Sequence, residues 1–210
     1  MQALDKEKRA VYTILQKTYV FEIRIMKKAV FLSRSYAAKQ IAFCAVFATL
    51  CLVSTLLISV PLPHGYLNMG DVFVLLSGWL LGFWGIPAAA IGSALADVVS
   101  GFVLYAPATF LIKGAMAFLS YLVWRFLKRS IKNSRLNGFS LFLSAILAET
   151  VMLAGYFFFE SMLYGFAGAA LSLIGNAIQG GACALCGTAL CMIFSSISPL
   201  RKFFPALNER

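Results

Sequence analysis

From Ile41 to Val60 the chain carries no charged residue, an unbroken apolar run of 20 positions. As a helix rising about 1.5 Å per residue, such a run spans roughly 30 Å, the thickness of one bilayer core. The stretch Pro61-Leu-Pro-His-Gly-Tyr-Leu-Asn-Met-Gly70 is turn-rich and holds neither Lys nor Arg, so it reads as an outer loop. Apolar sequence then resumes to Trp124, interrupted at Gly82–Pro87 and at Gly101–Pro107, which predicts segments near 71–84, 86–103 and 106–127. The first two are short, a feature tolerated where neighbouring helices satisfy the backbone and small residues permit close approach. Gly138–Gly165 and Ala167–Ser198 predict two further spans.

Charge orients these segments. Arg125 to Arg135 holds five basic residues and no acid, and Met1 to Gln40 holds nine basic residues against three acids. Both belong on the cytoplasmic side, which requires an even number of crossings between them; four fits and two does not. Arg201 and Lys202 bring the tail back to the same side. The expectation is an all-α integral membrane protein with six transmembrane helices and both termini cytoplasmic. It divides into a basic extension over 1–35, a membrane domain over 36–198 and a tail over 199–210. The extension lacks the ordered regions and cleavage site of a secretory signal. Residues 1–25 read as an amphipathic surface helix, a tail, or an upstream mis-start, since Met26-Lys-Lys would itself serve as a start.

Composition excludes several functions. At 61% hydrophobic and 12% charged, with a mean hydropathy of +0.85, the chain is too apolar for a water-soluble domain. Its net charge of +10 lies in topology-setting segments, which argues against nucleic-acid binding. No segment outside the membrane is long enough for a soluble catalytic domain, and G-x-x-x-x-G-K-[ST] is absent, which excludes a self-powered pump. Cysteines 44, 51, 183, 186 and 191 lie in apolar runs, as packing residues do. Cys183-x-x-Cys186 has no second pair and the lone histidine is His64, so no metal site is expected. Nor is there a nucleophile with a base, and an enzyme is not expected.

Asp71, Asp97, Lys113, Glu149 and Glu160 nevertheless lie within the apolar region, each costing roughly 2.5–3.5 kcal/mol at mid-bilayer. Counting from the helix ends puts Lys113, Asp97 and Glu149 near one depth. That predicts an ion pair of Lys113 with Asp97 or Glu149, serving either to fix the fold or to contact a ligand. Glu149, Met152, Tyr156 and Glu160 share one helical stripe, and Asn176 and Gln179 share a face three residues apart. The two carboxamides suit the edge of a heteroaromatic ring or an interhelical hydrogen bond. Tyr66, Asn68 and Asp71 beside the outer loop, with Tyr105 and Thr109, would form an outward-facing pocket. Four acids against one lysine favour a neutral or cationic solute over an anion. A stand-alone proton-coupled carrier using Asp97 and Glu149 is the alternative, although no internal repeat supports it. Ala38, Ala42, Ala45 and Ala48 run down the first helix and permit close helix approach, within the protein or with a partner.

Several motifs occur together and in order: Gly70-Asp71, Ile91-Gly-Ser-Ala-Leu-Ala-Asp-Val-Val-Ser-Gly101, Tyr105-Ala-Pro-Ala-Thr-Phe-Leu-Ile-Lys-Gly114, Ala148-Glu-Thr-Val-Met-Leu-Ala-Gly-Tyr156 and Gly175-Asn-Ala-Ile-Gln-Gly180. Over about 36–198 the chain resembles the substrate-binding S components of energy-coupling factor vitamin transporters, specifically the riboflavin-transporter-like group. The resemblance implies a multi-pass protein of a prokaryotic plasma membrane that captures a B-vitamin or precursor from outside, of the riboflavin, pyridoxine, thiamin or hydroxymethylpyrimidine class. It implies association with a transmembrane coupling protein and two cytoplasmic ATPases, which use the ATP, and no cofactor of its own. The family's A-x-x-x-A docking element matches Ala38 and Ala42, with Ala45 one step further. Its binding region maps onto Asn68, Thr109, Lys113, Glu149, Tyr156, Asn176 and Gln179. The basic extension before residue 36 is longer than the family usually shows.

Overall fold

A computed structural model describes residues 36–62, 65–130 and 137–204. The readings of residues 1–35, of His64, of Lys132 and Arg135 and of the last six residues fall outside these. From Ala42 onward the chain forms one compact unit, and its elements alternate apolar helices with short connections. Helix α1 runs Tyr36–Leu57. A hairpin follows, β1 (Ser59–Leu62) with β2 (Gly65–Asn68), then α2 (Gly70–Leu81), a 3-10 turn (Gly82–Trp84), α3 (Gly85–Val99), α4 (Ala106–Ser130), α5 (Asn137–Ser196) and the short α6 (Ser198–Phe203).

The outer segment read as a loop is an antiparallel hairpin, with Val60 opposite Leu67 and Pro61 opposite Tyr66. Pro61 fits because a two-stranded ribbon consists of edges, where a missing N–H is tolerated. The hairpin hands directly to α2: the Asn68 side-chain oxygen accepts from the Gly70 N–H at 2.9 Å, satisfying one of the orphan donors of the helix start. Gly70 has no alternative here, since a Cβ would fall 2.0 Å from the Thr55 hydroxyl oxygen.

Among the described residues, four helical runs are long and apolar enough to cross a membrane: Tyr36–Leu57, Gly70–Val99, Ala106–Ser130 and Asn137–Ser196. The two longest are interrupted. Gly82, at φ 61°, ends α2, and Gly165, at φ 74° and ψ 170°, breaks α5. A β-carbon on Gly180 would meet Glu149 at 3.2 Å and one on Gly138 would meet Met192 at 3.0 Å. Residues nearly equidistant on either side of Gly165 thus face each other, so the halves 137–164 and 166–196 form an antiparallel pair.

The core is apolar side chains of α2 enclosed by the other helices. Trp79, Leu75, Leu76, Met116, Met152 and Cys183 are fully buried, and the Trp79 indole N–H donates to the Ser144 hydroxyl at 3.0 Å, tying α2 to α5. Small residues set the approach elsewhere. A Cβ on Gly92 of α3 would lie 2.3 Å from the Ala48 carbonyl oxygen of α1, and one on Gly78 would lie 2.4 Å from the Ala117 carbonyl oxygen of α4. Backbone against backbone in this way brings polar side chains of different helices within hydrogen-bonding reach. Of the C-x-x-C cysteines, Cys183 is buried and Cys186 exposed, and both are free thiols.

Candidate functional site

Below the hairpin, four elements converge on a buried polar network. Asp71 is wholly inaccessible and is held from two sides. Lys113 Nζ of α4 donates to its Oδ1, and Gln179 Nε2 of α5 donates to its Oδ2 at 2.6 Å. The Gln179 side-chain oxygen in turn accepts from the Asn68 backbone N–H at 2.8 Å. A continuous chain of polar contacts therefore runs from Lys113 through Asp71 and Gln179 to the base of the hairpin, with the ammonium group 5.3 Å from the centre of the Tyr156 ring. Asp71 lies in the first turn of α2, where the helix dipole also favours its charge.

This corrects the expected ion pair. Lys113 pairs with Asp71, and not directly with Asp97 or Glu149. Counting along each helix places all three groups at one depth, but depth does not give rotation about the helix axis, and the position of Asp71 beside the outer loop points to the mouth of a pocket and not to its floor. The Asp97 Oδ1 accepts instead from the Tyr66 hydroxyl at 2.6 Å. Burial, reinforced by this bond to Asp97, pushes the Tyr66 phenol well above its ordinary pKa. Glu149 is buried against Gly180, and neither of its carboxyl oxygens has a hydrogen-bond partner.

Above the network lies a cavity enclosing about 440 Å³ of empty space, its mouth and the adjoining open space included. Tyr66 and Asn68 line it from the hairpin, and Asp97 of α3 with Phe102 and Tyr105 of the α3–α4 connection form a second wall. Thr109 of α4, Tyr156 and Glu160 of the first half of α5, and Asn176 and Gln179 of its second half close the rest. Thr109 and Tyr156 share a hydrogen bond at 2.9 Å. The rings form a linked set: Tyr66 and Phe102 lie 5.1 Å apart, Phe102 and Tyr105 6.1 Å, and Tyr105 and Phe159 5.2 Å.

Of the residues assigned to ligand contact from sequence, Asn68, Thr109, Tyr156, Asn176 and Gln179 line this cavity, whereas Lys113 and Glu149 do not. Of the outer group, Tyr66, Tyr105 and Thr109 line it with Asn68, and Asp71 is buried beneath. Phe102 lines the cavity without a signal in the sequence: it follows Gly101, whose φ of 85° turns the chain out of α3, and nothing in its spacing marks it. Ala38, Ala42 and Ala45 are exposed on α1.

A family model for the S component of ECF-type riboflavin transporters matches residues 35–196. A protein of Pyrococcus woesei, described as an uncharacterized protein in a gap 3' region, is 35% identical over 130 residues, which cover 60% of this chain and 82% of that protein. The ordered polar motifs, the apolar helices and the match over most of the chain agree, and the chain belongs to the family of ECF-type riboflavin transporter S components.

Proposed function

We propose that this chain captures a B-vitamin or vitamin precursor from outside the cell in the cavity beneath its hairpin and delivers it for ATP-driven uptake by partner subunits. The observation that carries the reading is the cavity: aromatic rings with amide and hydroxyl edges, opening beside the outer hairpin and floored by a fixed polar network. Asn68, Thr109, Tyr156, Asn176 and Gln179 contact the ligand. Lys113 acts from below through Asp71, and Glu149 through its packing against the second half of α5.

Six crossings with both termini in the cytoplasm suit the breaks at Gly82 and Gly165 and the basic end of α4, where Lys128 and Arg129 lie in the last turn. The membrane domain spans 36–198. Ala38, Ala42 and Ala45 offer a smooth surface for a transmembrane coupling protein, itself joined to two ATPases that supply the energy. The protein resides in the plasma membrane of a prokaryote and performs no chemistry on its ligand. The stand-alone proton-coupled carrier gains no support from the family match.

The test is native mass spectrometry of the full chain purified in mild detergent from cells in rich medium, with release and fragmentation of any bound molecule. A stoichiometric B-vitamin is expected. An empty protein that also shows no thermal shift with riboflavin, pyridoxine, thiamin or hydroxymethylpyrimidine would overturn the proposal.

A further inference from the structure

The basic end of α4 runs on past the turn between α2 and α3. That turn meets α4 at Tyr121, where the Phe83 and Tyr121 rings lie 5.1 Å apart and a β-carbon on Gly82 would fall 3.2 Å from the Tyr121 ring. From there α4 continues to Ser130, about 14 Å further. On this stretch Arg125, Lys128 and Arg129 are spaced three and four residues apart and so share one face. Two of them are positioned by aromatic rings one turn back along the helix. Arg125 donates to the Tyr121 hydroxyl, with its guanidinium carbon 5.5 Å from the centre of that ring, and Lys128 Nζ lies 4.8 Å from the centre of the Trp124 ring. Both rings are buried and form fixed supports, while Arg129 is exposed. Like charges at such helical spacings repel one another, and an anion set among them offsets that cost.

Below the cations the same face is apolar. Phe118 and Leu122 precede Arg125 and Arg129 at spacings of four, three and four, and both are exposed, as are Phe83 and Trp84 of the adjoining turn. Phe83 and Phe118 lie 6.1 Å apart, which makes the exposed surface continuous from the turn to α4. An apolar strip running directly into a group of cations has the polarity of one phospholipid, with acyl chain along the strip and headgroup at its end. We infer that the basic end of α4 is a binding site for an anionic phospholipid, its phosphate held by Arg125, Lys128 and Arg129 and its acyl chain laid over Phe83, Phe118 and Leu122. The arginines present planar forks that fit phosphate oxygens, and the lysine adds a point charge. An acidic peptide would answer the cations but leave the strip beneath them uncovered, and a zwitterionic lipid would bring its own ammonium into the group. None of these residues lines the cavity, so the site is separate from the one proposed for capture.

The experiment is native mass spectrometry of the full-length protein in mild detergent, titrated with phosphatidylglycerol and phosphatidylcholine of identical acyl chains. Phosphatidylglycerol is expected to bind at least about tenfold more tightly. Arg125→Gln and Arg129→Gln are each expected to weaken its binding about fivefold, the scale of one basic contact with an anionic headgroup. Lys39→Gln, which removes an exposed charge at the start of α1, should leave it within about twofold. Because Arg129 is exposed, its variant keeps the test valid should Arg125→Gln fold poorly on losing the Tyr121 contact. Equal affinity for the two lipids would overturn the inference, as would a phosphatidylglycerol affinity that neither arginine variant lowers. A loss of equal size in Lys39→Gln would show diffuse attraction in place of a site and overturn it too. Arginine variants that keep their lipid affinity but no longer co-purify with the coupling module would give this face to a protein partner instead.

Discussion

Gln179 donates to Asp71 at 2.6 Å and accepts from the Asn68 backbone at 2.8 Å in the same side-chain conformation. One carboxamide thus uses both its ends to join α5, the first turn of α2 and the hairpin. From sequence, Asn176 and Gln179 were equivalent, two amides on one helical face. In the fold they differ: Gln179 is buried and bonded on both sides, whereas Asn176 is half-buried at the cavity wall.

Replacing each by Leu therefore has distinct outcomes. Gln179→Leu leaves a carboxylate oxygen and a backbone N–H without their partner, and losing such buried partners costs about 1–3 kcal/mol each. It lowers the thermal midpoint and weakens ligand binding together. Asn176→Leu weakens binding with the midpoint nearly unchanged. Paired melting curves and titrations in one detergent check this; matching losses of stability in both variants would assign Asn176 a structural role.

The ion pair yields a second prediction. Lys113→Met strands Asp71 in the core, and removing one member of a buried pair costs about 3–5 kcal/mol. Adding Asp71→Asn removes the stranded charge while keeping an acceptor for Gln179. The double variant should be more stable than Lys113→Met alone, a non-additivity that a double-mutant cycle measures. Additive losses would show that the pair contributes little coupling energy.

Backbone contact between α1 and α3 gives a third. Because the Ala48 carbonyl and Cα lie within 3 Å of a β-carbon on Gly92, Gly92→Ala has to push two helices apart and should cost about 1–3 kcal/mol. Gly181→Ala is the control: nothing lies within 4 Å of its β-carbon, and alanine favours helix by up to about 1 kcal/mol. Equal stabilities for the two would contradict the packing described.

The Tyr66–Asp97 bond ties the hairpin to α3 and carries a pH signature. The folded protein holds the Tyr66 proton more firmly than an unfolded chain does, in which tyrosine titrates near about 10. The raised pKa makes the contribution full below about pH 10 and lost above it, as the unfolded state releases its proton first. The stability difference between the unaltered protein and Tyr66→Phe should be constant from about pH 6 to 9 and shrink above about 10. A difference that grows with pH would reverse the sign.

The docking proposed for α1 is separable from capture. Ala42→Trp places bulk on an exposed helix face away from the cavity-lining residues. It should abolish co-purification with the coupling module while leaving ligand affinity within about twofold, since surface substitutions remote from a site change free energies by roughly 0.5 kcal/mol or less. Retained complex formation would remove α1 from the interface.

Much of the architecture was legible because helix ends are written locally. Gly165, Gly82 and the Asn68–Gly70 turn mark their breaks by residue type, and the stripe of Glu149, Met152, Tyr156 and Glu160 announces an inward face through spacing alone. The partner of Lys113 was not legible. Periodicity fixes a side chain's direction about its own helix, but which neighbour it meets depends on how closely the helices approach, and that is set by glycines on other segments, Gly78 and Gly180 among them. The hairpin was missed for a related reason: Val60 and Leu67 pair across a turn that the proline-rich sequence presents only as irregular.

Helix α2 is 12 residues long and all but one of them are buried. At about 18 Å it is well short of a bilayer's hydrocarbon thickness, yet it does not face lipid, because protein surrounds it. Hydrophobic mismatch, which tilts or thins the surroundings of a lipid-facing helix, therefore has little direct hold on the segment that carries Asp71. A thicker or thinner membrane reaches the floor of the cavity only by moving the outer helices around it, so bilayer composition should alter how α4 and α5 lean long before it alters the Lys113–Asp71–Gln179 geometry.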